Sequence, residues 1–348
     1  MTFKPNRRLV LAGGAAFGAG VAAPWIARAQ TYKPEYKLSV VGNRPIPLSE
    51  GAFRWAELVN ERTQGRVNVK VYPGSQLVGG DQTRELVAMR QGVVDFLVSS
   101  TINIAPQIRE MNIFSLPFLM PDHKAFDALI TGEIRTDLDA TLASRDSMVL
   151  AWGENGFREM SNSKRPIRKP DDLKGLKIRY AAGPIFADIF NALGANPLQM
   201  SFADLQPALS TGAVDGQENP INLFLAFKMD TLAQKHLTMW NYVADAGVFH
   251  LNKAVWDSFA PADQAIVKAC AEQAAKEQIV SSRKGLGAGG DRSSLDELAK
   301  RGVQVAELTE AEKLAFRAPT KSVFDKWAQT VGVDLVAKAE AAIAKRGA

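Results

Sequence analysis

Charged and polar side chains follow the predicted strands of this chain at the points where those strands end. In open parallel sheets, ligands bind outside the carboxyl ends of the strands. A guanidinium group binds a carboxylate through two parallel hydrogen bonds, and amide and hydroxyl groups serve its remaining oxygen lone pairs. These residue types predict a binding site for an organic carboxylate, formed by Asn43, Arg44, Ser99, Ser100, Thr101, Arg158, Arg179, Gln217 and Asn219.

The sequence distinguishes two arginines of this set. Arg179 lies on an apolar strand between Ile178 and Tyr180, which predicts burial and favours ligand binding over a surface position. Arg158 precedes Glu159 in a less apolar setting, and it is equally consistent with a ligand contact, a solvated residue or a structural salt bridge.

Residues that support catalysis or hold metal ions are not arranged for either chemistry. The three histidines have none of the spacings of a zinc site, and no Gly-x-Ser-x-Gly elbow is present. The one cysteine, Cys270, lies in an apolar helical run and is predicted to pack in the core. The sequence therefore predicts a binding protein without a metal or cofactor, and not an enzyme.

A short motif occurs twice and indicates how the binding residues are positioned. Gly92–Asp95 and Gly212–Asp215 each read Gly-x-Val-Asp, each follows a helical run, and each precedes a predicted strand. The two copies are about 120 residues apart, which is too far for a solenoid repeat and indicates two lobes of similar build. Two facing α/β lobes form a cleft in which small molecules bind.

Strand and helix patterns alternate along the chain, which is typical of βαβ units and predicts mainly parallel sheets. Strands are predicted over Tyr36–Val41, Val67–Tyr72, Val94–Ser100, Met148–Trp152, Leu176–Tyr180 and Val214–Gln217. Helices are predicted over Leu48–Thr63, Asp81–Arg90, Ile185–Leu193, Ser201–Ser210, Pro261–Lys284 and Ser293–Arg301, with a helical tail from Thr309 to Lys345. Pro207 lacks an amide donor, so its helix is expected to kink there or to begin later. The run Gly285–Gly290 predicts a connector or a loosened helix, because it lacks the Gly-Lys-Ser/Thr ending of a phosphate loop.

The first 29 residues have the features of an export signal. Arg7 and Arg8 form a twin-arginine pair, a weakly apolar run follows, and a small-x-small pattern ends at Ala29. The run is too short and too polar for a membrane anchor. The net charge of +5 includes four basic residues in this segment, so the rest of the chain carries +1 and predicts no nucleic-acid surface. We expect export to the periplasm and cleavage after Ala29.

Several segments occur in an order that resembles one protein family. They are Tyr72–Leu77, Gly156–Arg158, Ser163–Ile167, Asp172–Arg179, Leu193–Ala195 and Gly212–Pro220. Together they resemble the solute-binding subunits of tripartite ATP-independent periplasmic (TRAP) transporters, of the dicarboxylate-receptor type, from about Tyr36 to Phe259. The resemblance implies a two-lobed periplasmic-binding-protein-like α/β fold with a hinge and with long helices in the C-terminal part.

The resemblance also implies roles for three residues. It places the arginine that holds the substrate carboxylate at Arg179, a second arginine at Arg158 and an asparagine at Asn219. The chain departs from the family near Gln206, where a tyrosine is usual, and at Gly285–Gly290, within what resembles the long lobe-spanning helix.

The implied lobes are each built from two stretches of chain. We expect lobe I to comprise residues 30–156 and about 245–284, and lobe II to comprise residues 157–244 and about 285–348. Aromatic residues after the binding motif have two interpretations, the distal wall of the pocket or core packing, and they are Phe224, Phe227, Trp240 and Tyr242.

Sequence and resemblance together predict an extracytoplasmic receptor. A monomer would close over a small organic carboxylate and deliver it to the integral membrane subunits of a TRAP-type permease. Two alternatives stay open at this point: a receptor that signals to a membrane sensor, and, with less support, a periplasmic enzyme that acts on a carboxylate in the same cleft.

Overall fold

The structure is a computed structural model, and it describes residues 32–287 and 290–345. The predicted signal peptide, residues 1–29, lies outside the described residues. None of the described helices is both long enough and apolar enough to cross a membrane.

Across residues 32–287 and 290–345, the strands form two mixed sheets, one of five strands and one of six. In chain order the strands are β1 (Tyr36–Val40), β2 (Val69–Pro73), β3 (Phe96–Ser100), β4 (Ser147–Phe157), β5 (Glu159–Asn162), β6 (Lys177–Tyr180), β7 (Asn196–Gln199), β8 (Gly216–Asn219), β9 (His236–Met239), β10 (Ala244–Asn252) and β11 (Gln304–Glu307). The first sheet has the order β2-β1-β3-β10-β4, and the second has the order β11-β9-β5-β8-β6-β7.

Helices cover the sheets and connect them. They are α1 (Pro47–Arg62), α2 (Glu85–Arg90), α3 (Thr101–Ile104), α4 (His123–Thr131), α5 (Glu133–Ala143), α6 (Pro184–Ala192), α7 (Phe202–Thr211), α8 (Ile221–Ala226), α9 (Lys253–Asp257), α10 (Pro261–Arg283), α11 (Ser293–Lys300), α12 (Glu310–Val331) and α13 (Val333–Lys345). The long helix α10 packs on α1 and β4, α12 packs on α6, and α13 packs on α4 and α5.

The two sheets repeat one strand arrangement. In the first, β2, β1 and β3 are parallel neighbours and β10 lies antiparallel to β3. In the second, β7, β6 and β8 are parallel neighbours and β5 lies antiparallel to β8. The antiparallel members come from the stretches where the chain passes between the sheets, so the sheets are mixed. The local alternation of strands and helices revealed only part of β4, at Met148–Trp152, and did not reveal β5, β9 or β10.

The repeated Gly-x-Val-Asp motif forms the same pair of hydrogen bonds in both sheets. The backbone N–H of Asp95 donates to the Lys37 carbonyl (2.9 Å), and the Lys37 N–H donates back to Asp95 Oδ2 (2.8 Å). Asp215 and Lys177 repeat both bonds, at 2.8 and 2.9 Å. Each aspartate thus fastens the start of the central parallel strand to its neighbour.

Two local details differ from the sequence expectation. Helix α7 begins at Phe202 and continues through Pro207, so the proline neither delays nor ends it. The helix predicted from Asp81 begins as a 3₁₀ turn over Gln82–Arg84, before α2 begins at Glu85.

The described part of the glycine-rich run is a loop between α10 and α11. The backbone N–H of Gly285 donates to Asp291 Oδ2 (3.1 Å), and the Gly287 N–H donates to the Asp291 carbonyl (2.6 Å). A Cβ at Gly285 would lie 2.5 Å from the Ser294 backbone nitrogen, so the loop closes too tightly there for a side chain.

Candidate functional site

A cavity lies where the strands of both sheets end. Around it are Val41 after β1, Ser100 at the end of β3, Arg158 between β4 and β5, Arg179 on β6 and Asn219 at the end of β8. The remaining lining residues are Ile46, Leu48, Ser49, Gln82, Asn103, Asn155, Ala181, Phe202 and Leu223. The carboxyl ends of parallel strands meet at one edge of a sheet, which explains why residues distant in sequence converge here.

Arg179 presents an unsatisfied donor to this cavity. Its side chain is 0 % exposed, and its Nε and Nη2 donate to the Met200 carbonyl at 3.1 and 2.8 Å. Its Nη1 is buried and has no hydrogen-bond partner within the described structure. Burial lowers the pKa of Arg179 to about 10, which leaves the guanidinium cationic at neutral pH. A buried cation with a free N–H is a binding group for an anion.

Arg158 is also buried, but its charge is already paired. Its Nε and Nη2 make a two-point contact with the Glu218 carboxylate, the second bond at 2.7 Å. Nη2 also donates to Asn219 Oδ1 (3.0 Å). Burial lowers the pKa of Arg158, but the charge and hydrogen bonds of Glu218 outweigh this and raise it above its ordinary value. Arg158 is therefore not a solvated residue, and it fits the other two interpretations of the sequence, because it lines the cavity and forms a structural salt bridge.

Asp245 on β10 organises a third group of polar residues. Its carboxylate accepts hydrogen bonds from Ser100 Oγ (2.6 and 2.8 Å), Thr101 Oγ1 (2.9 Å) and Asn155 Nδ2 (2.8 Å). The Ser100 and Thr101 hydroxyl protons are both committed to Asp245. These two side chains therefore orient the wall of the cavity, and Asn155 keeps a second amide hydrogen for a ligand.

Five residues of the predicted set do not line the cavity. Asn43 and Arg44 are exposed, and Arg44 forms ion pairs with Glu50 (3.4 Å) and Glu57 (2.7 Å) on the outer face of α1. The chain turns outward after β1, so the end of this strand contributes Val41 instead.

The other three residues outside the lining, Ser99, Thr101 and Gln217, are buried within their sheets. Ser99 Oγ lies 2.9 Å from His250 Nε2, on the face of β3 opposite Ser100, because successive strand residues point to opposite faces. Gln217 Nε2 donates to Ser161 Oγ (2.7 Å) on the neighbouring strand. The structure thus brings together Ser100, Arg158, Arg179 and Asn219, and it separates the other five from the cavity.

Several residues of the site gave no separate signal in the sequence. Glu218 lies inside the Gln-Glu-Asn-Pro segment, where a buried acid between two binding residues could have suggested a partner for an arginine. Asn155, Gln82 and Ser49 lie in segments without any motif, and only the fold brings them to the cavity. The same is true of Asp245, which lies behind the lining and holds Ser100 and Asn155.

The aromatic residues after the binding motif pack in the core. Phe224, Trp240 and Tyr242 are 0 % exposed, and none of them lines the cavity, as is also true of Phe227. Phe202 and Leu223 line it instead. Within residues 32–287 and 290–345, no group of three or more His, Cys, Asp or Glu side chains is arranged to hold a metal ion.

Residues 39–330 match bacterial extracellular solute-binding protein family 7. The chain belongs to this family. The predicted resemblance to TRAP solute-binding subunits is therefore confirmed, and the protein is an extracytoplasmic solute receptor of the TRAP type. Its family consists of substrate-binding receptors.

Curated relatives of the chain are similar over most of its length. The 2,3-diketo-L-gulonate-binding periplasmic protein of Escherichia coli (strain K12) is 32 % identical over 308 residues, covering 88 % of both chains. The C4-dicarboxylate-binding periplasmic protein of Rhodobacter capsulatus is 33 % identical over 311 residues, covering 89 % of this chain and 91 % of that one.

A solved structure confirms the fold class. A TRAP periplasmic solute-binding protein from Ralstonia eutropha H16, with bound (S)-2-hydroxy-2-methyl-3-oxobutanoate, is 55 % identical with a TM-score of 0.89. The similarity covers 90 % of this chain and all of that one. The two-lobed periplasmic-binding-protein fold predicted for this chain is thereby established, while the lobe boundaries given above stay a prediction.

Proposed function

We propose that this receptor binds a small monocarboxylate that carries a hydroxyl or oxo group, and that Arg179 holds the carboxylate. The observation that carries the proposal is Arg179 Nη1, a buried donor that lines the cavity and has no acceptor among the described residues. Leaving a buried donor unsatisfied is costly, and a ligand carboxylate would satisfy it with a charge-assisted hydrogen bond.

The charges buried at the cavity favour a single negative charge on the ligand. Arg158 is held by Glu218 and lies 3.4 Å from Asp245, so its charge is balanced before a ligand arrives. Arg179 donates to a neutral carbonyl instead, and it is the arginine of the cavity that no carboxylate neutralises within the described chain. A second carboxylate on the ligand would be desolvated without a free cation to compensate it.

The ligand of a relative supports the same chemistry. The Ralstonia eutropha protein, 55 % identical, holds (S)-2-hydroxy-2-methyl-3-oxobutanoate, which has one carboxylate, one hydroxyl and one ketone. Small apolar groups would suit the walls formed by Ile46, Leu48 and Leu223, and the polar side chains of the cavity would hold the oxygens.

The route to the periplasm and the partner complete the proposal. Arg7 and Arg8 support export by the twin-arginine route. Membership of the family supports delivery to a TRAP-type permease. Recognition of the closed form alone would let the permease distinguish loaded from empty receptor.

Isothermal titration of the mature chain, residues 30–348, tests the ligand class. We expect 2-hydroxy-2-methyl-3-oxobutanoate to bind at least about tenfold more tightly than succinate, a difference of about 1.4 kcal/mol. Succinate binding as tightly or more tightly would overturn the monoanion proposal. Failure of every small carboxylate to bind would overturn the assignment of the cavity.

Recovery of the ligand tests whether the receptor only binds it. After long incubation with the protein, mass spectrometry should find the acid unchanged beyond the decay seen in a protein-free control. A product formed at a rate proportional to protein concentration would instead support the rival enzyme.

A further inference from the structure

The start of helix α1 reaches the cavity from the side of the first sheet. The helix begins at Pro47, and the residue before it, Ile46, has no side chain that caps the backbone N–H groups. Leu48 and Ser49 both line the cavity, and within the described chain their backbone N–H groups donate no hydrogen bond. The first turn of a helix carries a partial positive charge and free N–H donors, which attract oxygen atoms.

A second observation marks this turn as a binding group. Ser49 is 0 % exposed, and its Oγ has no hydrogen-bond partner within residues 32–287 and 290–345. A Cβ at Gly42 would lie only 2.9 Å from Ser49 Oγ, so the glycine leaves the space that this hydroxyl occupies. A buried hydroxyl without a partner is unfavourable, and it becomes favourable once a ligand oxygen fills the position.

We propose that Ser49 and the first turn of α1 form a subsite for an uncharged oxygen of the ligand, a hydroxyl or a ketone. This inference rests on the proposed function, in which Arg179 holds the carboxylate. Among the described residues that line the cavity, only Arg158 and Arg179 are charged, and Arg44 is exposed and paired with Glu50 and Glu57, so the lining at Ser49 offers a second carboxylate no free cation.

The subsite gives the ligand a role in bringing the two sides of the cavity together. Arg179 belongs to β6 of the second sheet, whereas Ser49 belongs to α1, which packs on β2 and β3 of the first sheet. An acid that has a hydroxyl or ketone oxygen in addition to its carboxylate would contact Arg179 and Ser49 at once. An acid without such an oxygen would contact Arg179 but not Ser49. Oxygen content would therefore determine both affinity and closure.

The test combines one substitution with acids that differ by single oxygens. Wild type and Ser49→Ala are titrated with 2-hydroxy-2-methyl-3-oxobutanoate, 2-hydroxy-2-methylbutanoate and 2-methylbutanoate, which have two, one and no oxygens beyond the carboxylate. We expect Ser49→Ala to weaken the first acid about five- to twentyfold and 2-methylbutanoate less than about twofold. The acid at which the loss disappears identifies the oxygen that Ser49 contacts.

Ser115→Ala is the matched control, because Ser115 also has a buried hydroxyl without a partner but does not line the cavity. It should leave all three affinities unchanged. The melting temperature of unliganded Ser49→Ala should equal or exceed that of wild type, because an unsatisfied hydroxyl has been removed.

Two results would overturn the subsite while leaving the proposed function intact. One is an equal loss of affinity for all three acids in Ser49→Ala, which would indicate a packing role. The other is no loss for any of them. If wild type itself bound none of the acids, the proposed function would fail and the subsite with it.

Discussion

Arg179 differs from Arg158, the other arginine that lines the cavity, because its Nη1 has no hydrogen-bond acceptor among the described residues. Replacing it with alanine should weaken binding of 2-hydroxy-2-methyl-3-oxobutanoate by about 100- to 10,000-fold, because the buried carboxylate would lose its counter-charge. Arg179→Lys should restore part of the affinity, since it returns the charge but not the planar donor pair. Isothermal titration gives the ranking. An affinity of Arg179→Ala within a few-fold of wild type would show that the carboxylate binds elsewhere.

Arg158 should contribute more to the free energy of unfolding than Arg179 does. Arg158→Ala leaves Glu218, which is fully buried, without its two-point partner, and we expect a loss of about 3–5 kcal/mol in the free energy of unfolding. The double variant Arg158→Met with Glu218→Gln removes both charges and keeps an acceptor for the Tyr242 hydroxyl. It should lose less than Arg158→Ala alone in urea unfolding. Equal or greater loss would mean that the ion pair is not what stabilises this region.

Residues that line the cavity could be predicted where the end of a strand determines their position. Arg179 and Asn219 lie at strand ends, and the rule for parallel sheets selected them. Arg44 also follows a strand, but its two acidic neighbours on α1 hold it on the outer face, a contact that no strand pattern contains. Ser49 reaches the cavity, and Asp245 reaches the lining residues Ser100 and Asn155, through tertiary packing, so nothing local to them indicates a function.

At the scale of elements, a hydrogen bond beside the cavity links the segment before α2 to the start of α7. Gln82 Oε1, beside α2, accepts from the backbone N–H of Phe202 at the start of α7 (3.1 Å). Gln82→Ala should weaken binding by about five- to tenfold, through faster dissociation, because the two segments lose the bond that joins them beside the cavity. Stopped-flow displacement measures the rate. Gln82→Asn keeps an uncharged amide but shortens the side chain by one methylene, so it should also dissociate faster; equal dissociation rates in Gln82→Ala and wild type would contradict this role.

Helices were predicted more completely than strands. Helix α1 begins one residue before its predicted start, and α10 ends one residue before its predicted end, because apolar periodicity and terminal prolines mark such elements locally. Strand β10 was not predicted, although it is an interior strand of the first sheet, between β3 and β4. Its polar residues Asp245 and His250 are satisfied by distant side chains, so its sequence lacks the alternation of a half-buried strand.

At the scale of the whole molecule, a buried acid should make stability depend on pH. Burial raises the pKa of Glu159 from 4.5 to about 8, although the N–H groups of Trp240 and Asn241 donate to its carboxylate and act in the opposite direction. Between these values the unfolded chain binds fewer protons than the folded one. Stability should therefore fall as pH rises, by at most about 1.4 kcal/mol per pH unit from this group.

Glu159→Gln tests this dependence, because glutamine keeps an acceptor for both N–H groups and does not titrate. Urea unfolding between about pH 5 and pH 8 should show a shallower fall in the free energy of unfolding than in wild type. The exposed Glu310→Gln should leave the wild-type slope unchanged. Identical slopes in Glu159→Gln and wild type would show that Glu159 is ionised throughout this range.

Under the proposed twin-arginine route, export of the chain would depend on Arg7 and Arg8. Replacing Arg7 and Arg8 with lysine preserves the charge but removes the arginine pair, so precursor should accumulate in the cytoplasm. Fractionation followed by immunoblotting compares precursor with mature protein. Periplasmic delivery of the double-lysine variant at the wild-type level would assign export to another route.

The paired hydrogen bonds at Asp95 and Asp215 have a mechanical consequence, because each pair joins the starts of two neighbouring parallel strands. Both lie at the strand ends opposite the cavity, where they stiffen each sheet against bending. The chain passes from one sheet to the other at residue 158, at residues 240–243 and after α10, and these connections lie outside the strands. We therefore expect opening to rotate each sheet as a unit about these connections. The free energy of ligand binding would then change the angle between the two sheets and would not be spent on deforming either sheet.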